Sequence, residues 1–228
     1  MPRFFLTFLV AILLTTSSYV SATVNGAFDV EGRAGGSSWS QWELGILDPN
    51  VGTPQNTANY SWQSGVFVPW QLNYNSSGNT LSFVWNVGSP QQTIIYGSAL
   101  NYPFNSIKVF TETNNAWYLS SGDSVSVIDL VLQSGSTTQY GNDLIAQGQN
   151  DYQEFVFGTP ISGSFTLTGK SALAWDGYKP KNNDMFFHIT EATTVPAPEP
   201  STYIILASFL LLAIYFRKRR LSTVKVCK

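Results

Sequence analysis

The sequence predicts an all-β fold, an antiparallel β-sandwich or jelly-roll-like domain lying between two terminal apolar segments. Three observations predict it. Short runs alternate apolar and polar residues at every second position, the period of a half-buried strand. Clusters of Gly, Ser, Asn and Asp separate these runs at intervals of about ten residues. No sustained helical period runs through residues 23–194, a stretch the size of one domain.

Residues 1–22 read as a secretory signal peptide. Arg3 supplies the positive start and Phe4 to Leu14 an apolar run of 11 residues. As a helix, that run reaches only about 17 Å, short of a bilayer core. Val20, Ser21 and Ala22 are small residues suited to cleavage, which puts the mature start at Thr23.

The strands of residues 23–194 follow in order. Trp42, Leu44 and Ile46 share one face of a first run. Val66, Val68, Trp70, Leu72 and Tyr74 share one face of a second, and Leu81, Phe83, Trp85 and Val87 one face of a third, with Ser77-Gly78-Asn79 turning between them. Runs at 92–97 and 107–111 come next. Val125 and Val127 then lie out of phase with Leu130 and Leu132, so this strand is either buried on both faces or bulged. Residues 141–150 break the alternation and read as a loop or one helical turn. Runs at 152–157, 164–168 and 185–190 complete the series. Trp39, Trp42, Trp70, Phe83, Trp85, Phe155, Phe157, Phe165 and Phe187 are the expected core. The one cysteine, Cys227, lies in the tail, so apolar burial at about 25 cal/mol per Å² must hold the domain without disulfides.

The C-terminal end has three parts: a Pro-rich linker at 195–202, an uncharged apolar run of 14 residues from Tyr203 to Phe216, and the basic tail 217–228. Proline fixes φ near −65° and pushes the residue before it away from helix, so Pro196, Pro198 and Pro200 hold the linker extended. The apolar run spans about 21 Å, short for a permanent transmembrane helix but within reach of local thinning and snorkelling. Arg217, Lys218, Arg219 and Arg220 mark the cytoplasmic side, which places residues 23–202 across the inner membrane.

Pro198-Glu199-Pro200, the apolar run and the Arg217-Lys218-Arg219-Arg220 block, in that order after a signal peptide, resemble a PEP-CTERM sorting signal. The resemblance covers about a tenth of the chain. It implies processing by exosortase, a membrane-embedded transpeptidase of Gram-negative bacteria. In that reading, Pro198, Glu199 and Pro200 are recognition residues and the inner membrane is a transient partner. It also implies association with exopolysaccharide. Such tails usually stop soon after the basic block; here residues 221–228 continue, and nothing in the sequence explains them.

Charge narrows the partners further. All 14 acidic residues and only five basic ones lie between Asp29 and Glu199, a net −9. So acidic a body argues against nucleic acid, whose phosphates need a basic face.

Catalytic and metal signatures are sparse, and no cofactor motif stands out. His188, the only histidine, sits in a late strand without a Gly-x-Ser-x-Gly elbow, and reads as a residue on a sheet face. Asn150-Asp151 and Asn182-Asn183-Asp184 offer oxygen ligands for calcium, but are also ordinary turn residues. Glu154 and Asp176 form a glycosidase pair only if the fold brings them within about 5–9 Å. Trp62, Trp117, Tyr118, Trp175 and Tyr178 lie near turn residues and are the candidate glycan contacts; the competing role for such aromatics is core or interface packing. The sequence therefore predicts a non-enzymatic exported envelope protein, displayed at the surface or released, with a carbohydrate-binding module as the alternative.

Overall fold

The computed structural model describes residues 27–35, 42–100, 105–158, 161, 163–181 and 184–192. The predicted signal segment with its Ala22/Thr23 junction, the Pro198-Glu199-Pro200 motif, the apolar run and the basic block lie outside these residues. Trp39, Asn182 and Asn183 do too.

Two antiparallel sheets make up an all-β, sandwich-like body. The strands in chain order are β1 (Asp29–Ala34), β2 (Leu44–Asp48), β3 (Thr53–Ala58), β4 (Val68–Asn75), β5 (Thr80–Trp85), β6 (Thr93–Ser98), β7 (Ser106–Thr113), β8 (Ser124–Ser134), β9 (Thr137–Tyr140), β10 (Leu144–Gln147), β11 (Asp151–Phe157), β12 (Phe165–Ala174) and β13 (Met185–Ala192). The first sheet runs β11-β7-β13-β1-β2-β3 and the second β10-β8-β12-β4-β5-β6, with β9 also pairing β8. Among the described residues no helix is long and apolar enough to cross a membrane.

The alternation seen in the sequence decides which side chains meet. Val68, Trp70 and Leu72 of β4, and Leu81, Phe83 and Trp85 of β5, turn inward and are buried. From the opposite sheet, Phe187 stacks against Trp70 at 6.2 Å and against Trp85 at 6.0 Å. Glycines on flanking strands clear the space these rings occupy. A Cβ on Gly169, opposite Trp70, would lie 2.5 Å from the indole, and one on Gly32 would lie 2.2 Å from Phe187. The buried Trp70 indole N–H donates to Ser171 Oγ at 2.7 Å, so the polar edge of this core residue is satisfied. At one side the sheets are clipped together: the Gln55 side chain on β3 donates to Ser98 O (2.8 Å) and accepts from Ser98 N–H (2.7 Å) on β6. That side chain occupies backbone groups of an edge strand otherwise open to pairing.

The phase slip in β8 is a bulge. Val131 pairs Thr168 and Ile128 pairs Lys170, so two residues of β8 face Gly169 alone. Asp129 takes up the extra residue at φ 55°, and its carboxylate meets Lys170 at 2.8 Å. The bulge turns Val125 and Val127 on one side of it, and Leu130 and Leu132 on the other, all into the core.

Several expectations need correction. Residues 141–150 hold strand β10, which pairs β8 through Leu144↔Val127 and Gln147↔Ser124. Val66 and Val87 lie beyond their strands and are exposed. Phe155 is only half-buried at the core's margin. Trp42 is buried, but against the outer side of the first sheet: its ring covers Arg33, with 3.3 Å from guanidinium carbon to ring centroid.

The first sheet also fixes where the chain leaves the body. β1 and β13 are antiparallel neighbours, with Asp29 opposite Thr190 and Ala34 opposite Met185. The start of β1 and the end of β13 therefore lie side by side at one end, the root. The loops after β7 and before β13 lie at the far end, about 25 Å away over the eight residues of β13.

Candidate functional site

The far end gathers the segments that carry the predicted aromatics. Ser64, in the loop between β3 and β4, exchanges hydrogen bonds with the Trp175 backbone through its hydroxyl, at 2.9 and 2.8 Å. Asp123 accepts from Asp176 N–H at 3.0 Å, joining the loop before β8 to the loop after β12. The Tyr118 hydroxyl accepts from Lys181 N–H at 2.9 Å and donates toward the Asp184 carboxylate, with Lys181 O at 2.8 Å. Partial burial, and then that carboxylate, push the Tyr118 phenol up to about 12. It stays a neutral tether at any physiological pH.

The five candidate residues do not share one role. Trp117 is 88% exposed and Tyr178 77% exposed, both free to meet a ligand. Tyr118 and Trp175 are half-buried against the core and fix the loops. Trp62 is 6% exposed and cannot act as a platform. Its indole N–H donates to Arg33 O at 2.8 Å, and its ring packs edge-on against Tyr60 and Trp85. The buried aromatic in this loop belongs to the core, the packing role that competes with ligand binding for such aromatics.

His188 lies on the outer face of the first sheet within a charged cluster. Its Nδ1 is 2.7 Å from Asp29 Oδ1 and its Nε2 3.9 Å from Glu31 Oε2, and its ring stacks on Phe110 at 4.8 Å. Burial disfavours the charged ring, but Asp29, Glu31 and Glu112 outweigh it and hold His188 above its usual range. Glu31, 3.5 Å from Arg33, is itself pushed up by burial against the pull of His188 and Arg33. A triad needs a nucleophile on the imidazole nitrogen opposite the orienting acid. Here a second carboxylate faces that nitrogen, so the cluster is an ion-pair network within the sheet face.

The remaining chemistry does not converge either. Glu154 lies on β11, where it accepts from the Tyr152 hydroxyl at 2.6 Å and faces Lys108 at 3.8 Å. Asp176 lies on the far-end loop packed against Gly122. The structure does not bring them together as a pair. Asn150 adopts φ 57° in the turn before β11, the turn role of such residues. Among the described residues no group of His, Cys, Asp and Glu could hold a metal ion.

One surface was not legible from the sequence. A groove of about 370 Å³ opens on the outer face of the second sheet, lined by Asn73, Ser82, Gln133 and Thr166 among others. Its residues come from four strands and share no motif. Comparison with protein-family models and with curated proteins finds no match for this chain.

Proposed function

We propose that this chain is an exported, non-enzymatic envelope protein of the PEP-CTERM kind. Its jelly-roll-like body is carried outside the inner membrane on a transmembrane helix at 203–216, and exosortase trims the tail for surface display or release. The structural observation that favours display is the pairing of β1 with β13. Both ends of the body lie at the root, at the opposite end of the first sheet from the loops after β7 and before β13. The signal segment, the Pro198-Glu199-Pro200 motif and the Arg217–Arg220 block supply the export and sorting half of the proposal. The test is mass spectrometry of the mature protein from a host that carries exosortase. The proposal expects a chain beginning at Thr23 and lacking residues 203–228; a mature chain that keeps 203–228 refutes the sorting step.

A second reading, a carbohydrate-binding module, is favoured by the exposure of Trp117 and Tyr178 on adjoining far-end loops. Exposed aromatic faces can stack on sugar rings. It expects glycan binding that falls on Trp117→Ala, and it fails if no glycan binds.

A further inference from the structure

We infer that the groove on the outer face of the second sheet is a binding site for a neutral polysaccharide. It is distinct from the far-end loops and goes beyond the carbohydrate-binding reading of those loops by assigning a ligand class to another surface.

The strand register aligns the groove's polar groups, and the same row continues past the lining residues to Tyr96 on β6. Gln133 of β8 is opposite Thr166 of β12, Thr166 opposite Asn73 of β4, Asn73 opposite Ser82 of β5, and Ser82 opposite Tyr96 of β6. Directly opposed residues in antiparallel strands share a face. The five therefore form one row across the sheet, about 19 Å long at the usual strand spacing. The row lies on the face away from the core, and Tyr96 at its end is 62% exposed.

The hydrogen-bonding state of the row leaves groups to offer. Asn73 Oδ1 accepts from Thr166 Oγ1 at 3.0 Å and from Gln71 Nε2 at 2.6 Å. This fixes the amide and leaves Asn73 Nδ2 as a donor without an acceptor among the described residues. The Ser82 hydroxyl and the Gln133 amide are likewise unengaged among the described residues, and each can both donate and accept. A ligand matched to this row must carry donors and acceptors in alternation along its length, as linked sugar rings do.

Charge selects the neutral class. No lining residue is charged. An anionic polymer would find no cation in the groove and would meet a body, residues 23–194, whose 13 acidic and 5 basic residues give a net −8. A cationic ligand would find no carboxylate. A peptide strand added to a sheet needs a free edge, and the groove lies on strands paired on both sides. At about 370 Å³ the groove falls at the small end of ligand sites, enough for part of a chain that continues along the row.

The experiment uses the full chain in a zwitterionic detergent without a sugar headgroup, in affinity electrophoresis through gels containing β-glucan, galactomannan or arabinoxylan, with alginate as the anionic control. At least one neutral polymer should retard the protein, and alginate should not. Asn73→Ala and Tyr96→Ala should each weaken retardation by about tenfold, the loss expected when a hydrogen bond or a stacking face is removed. Val51→Ala, exposed in the turn between β2 and β3, should leave it unchanged, and Trp117→Ala reports on the far-end loops separately. Tyr96 is exposed, so its variant tests binding without threatening the fold; equal unfolding midpoints establish this. Three results overturn the inference: no neutral polymer retards the chain, alginate alone does, or only Trp117→Ala abolishes retardation. The last would leave the carbohydrate-binding reading intact and remove this site. The mass of the processed tail is read separately and moves with none of these outcomes.

Discussion

Glu191→Gln should stabilise the protein at alkaline pH and leave it unchanged in acid. Glu191, near the end of β13, is buried, and its Oε2 accepts from Phe28 N–H at 2.6 Å. Burial pushes its carboxyl from 4.5 up to about 7, against the pull of N–H bonds from Phe28, Glu191 and Ala27. An acid with a raised folded pKa holds its proton more tightly in the native state. Its contribution is therefore neutral below pH 4.5, grows unfavourable as pH rises from 4.5 to 7, and is complete at pH 8. At 1.36 kcal/mol per pH unit, that interval costs about 3 kcal/mol. Glutamine keeps an acceptor for Phe28 N–H and carries no charge to desolvate. The variant should be more stable than the parent by about 3 kcal/mol at pH 8, a rise of roughly 6–12 °C in Tm for a domain of this size. Urea or thermal unfolding at pH 4, 6 and 8 measures it. A variant no more stable than the parent at pH 8, or equally stabilised at pH 4, would refute the reasoning.

Two further predictions concern the sheets. Gly32→Ala places a Cβ 2.2 Å from Phe187, whose ring stacks against Trp70 and Trp85, and should cost about 1–3 kcal/mol or more in urea unfolding. Gly158→Ala meets open space and should stay within about 0.5 kcal/mol, so equal effects at the two sites would contradict the packing argument. Asp29→Asn should lower the titration midpoint of His188, followed by NMR of the ring protons. The raised folded value means the parent's His188 stabilises below pH 6.5 and loses that contribution as pH rises through the folded pKa; an unmoved midpoint in the variant would show that Asp29 does not hold the ring's charge.

The central strands were legible because their inward residues are large and alternate. Val68, Trp70 and Leu72, or Leu81, Phe83 and Trp85, leave little choice of face. The bulge at Asp129 could be read as one of two alternatives, since a strand that switches its apolar phase must bury both faces or bulge. Strands β1, β3, β9 and β10 were hidden for physical reasons. β3 (TPQNTA) and β9 (TTQY) are polar strands at sheet margins, held by backbone pairing that composition does not record. β1 turns only Val30, Gly32 and Ala34 inward, with no large apolar side chain to mark its face, and Gly32 clears space for Phe187. β10 has four residues, too few for a period to show against the Gly-Asn-Asp before it.

The candidate site was legible at the level of loops and not of side chains. Tyr60-Ser61-Trp62 resembles Trp117-Tyr118 in sequence, but the Trp62 indole finds a buried acceptor in Arg33 O while Trp117 points to water. Only the tertiary partner separates them. The groove is harder still: its lining row is spread over residues 73, 82, 133 and 166, continues to Tyr96, and becomes a row only through pairing of five strands.

The body's location is the claim on which the functional proposal stands, and protease access measures it directly. Proteinase K applied to intact spheroplasts of the native host should digest residues 23–194, while the same body should be protected in sealed, inverted inner-membrane vesicles. Protection in spheroplasts together with digestion in inverted vesicles would place the body in the cytosol and contradict export.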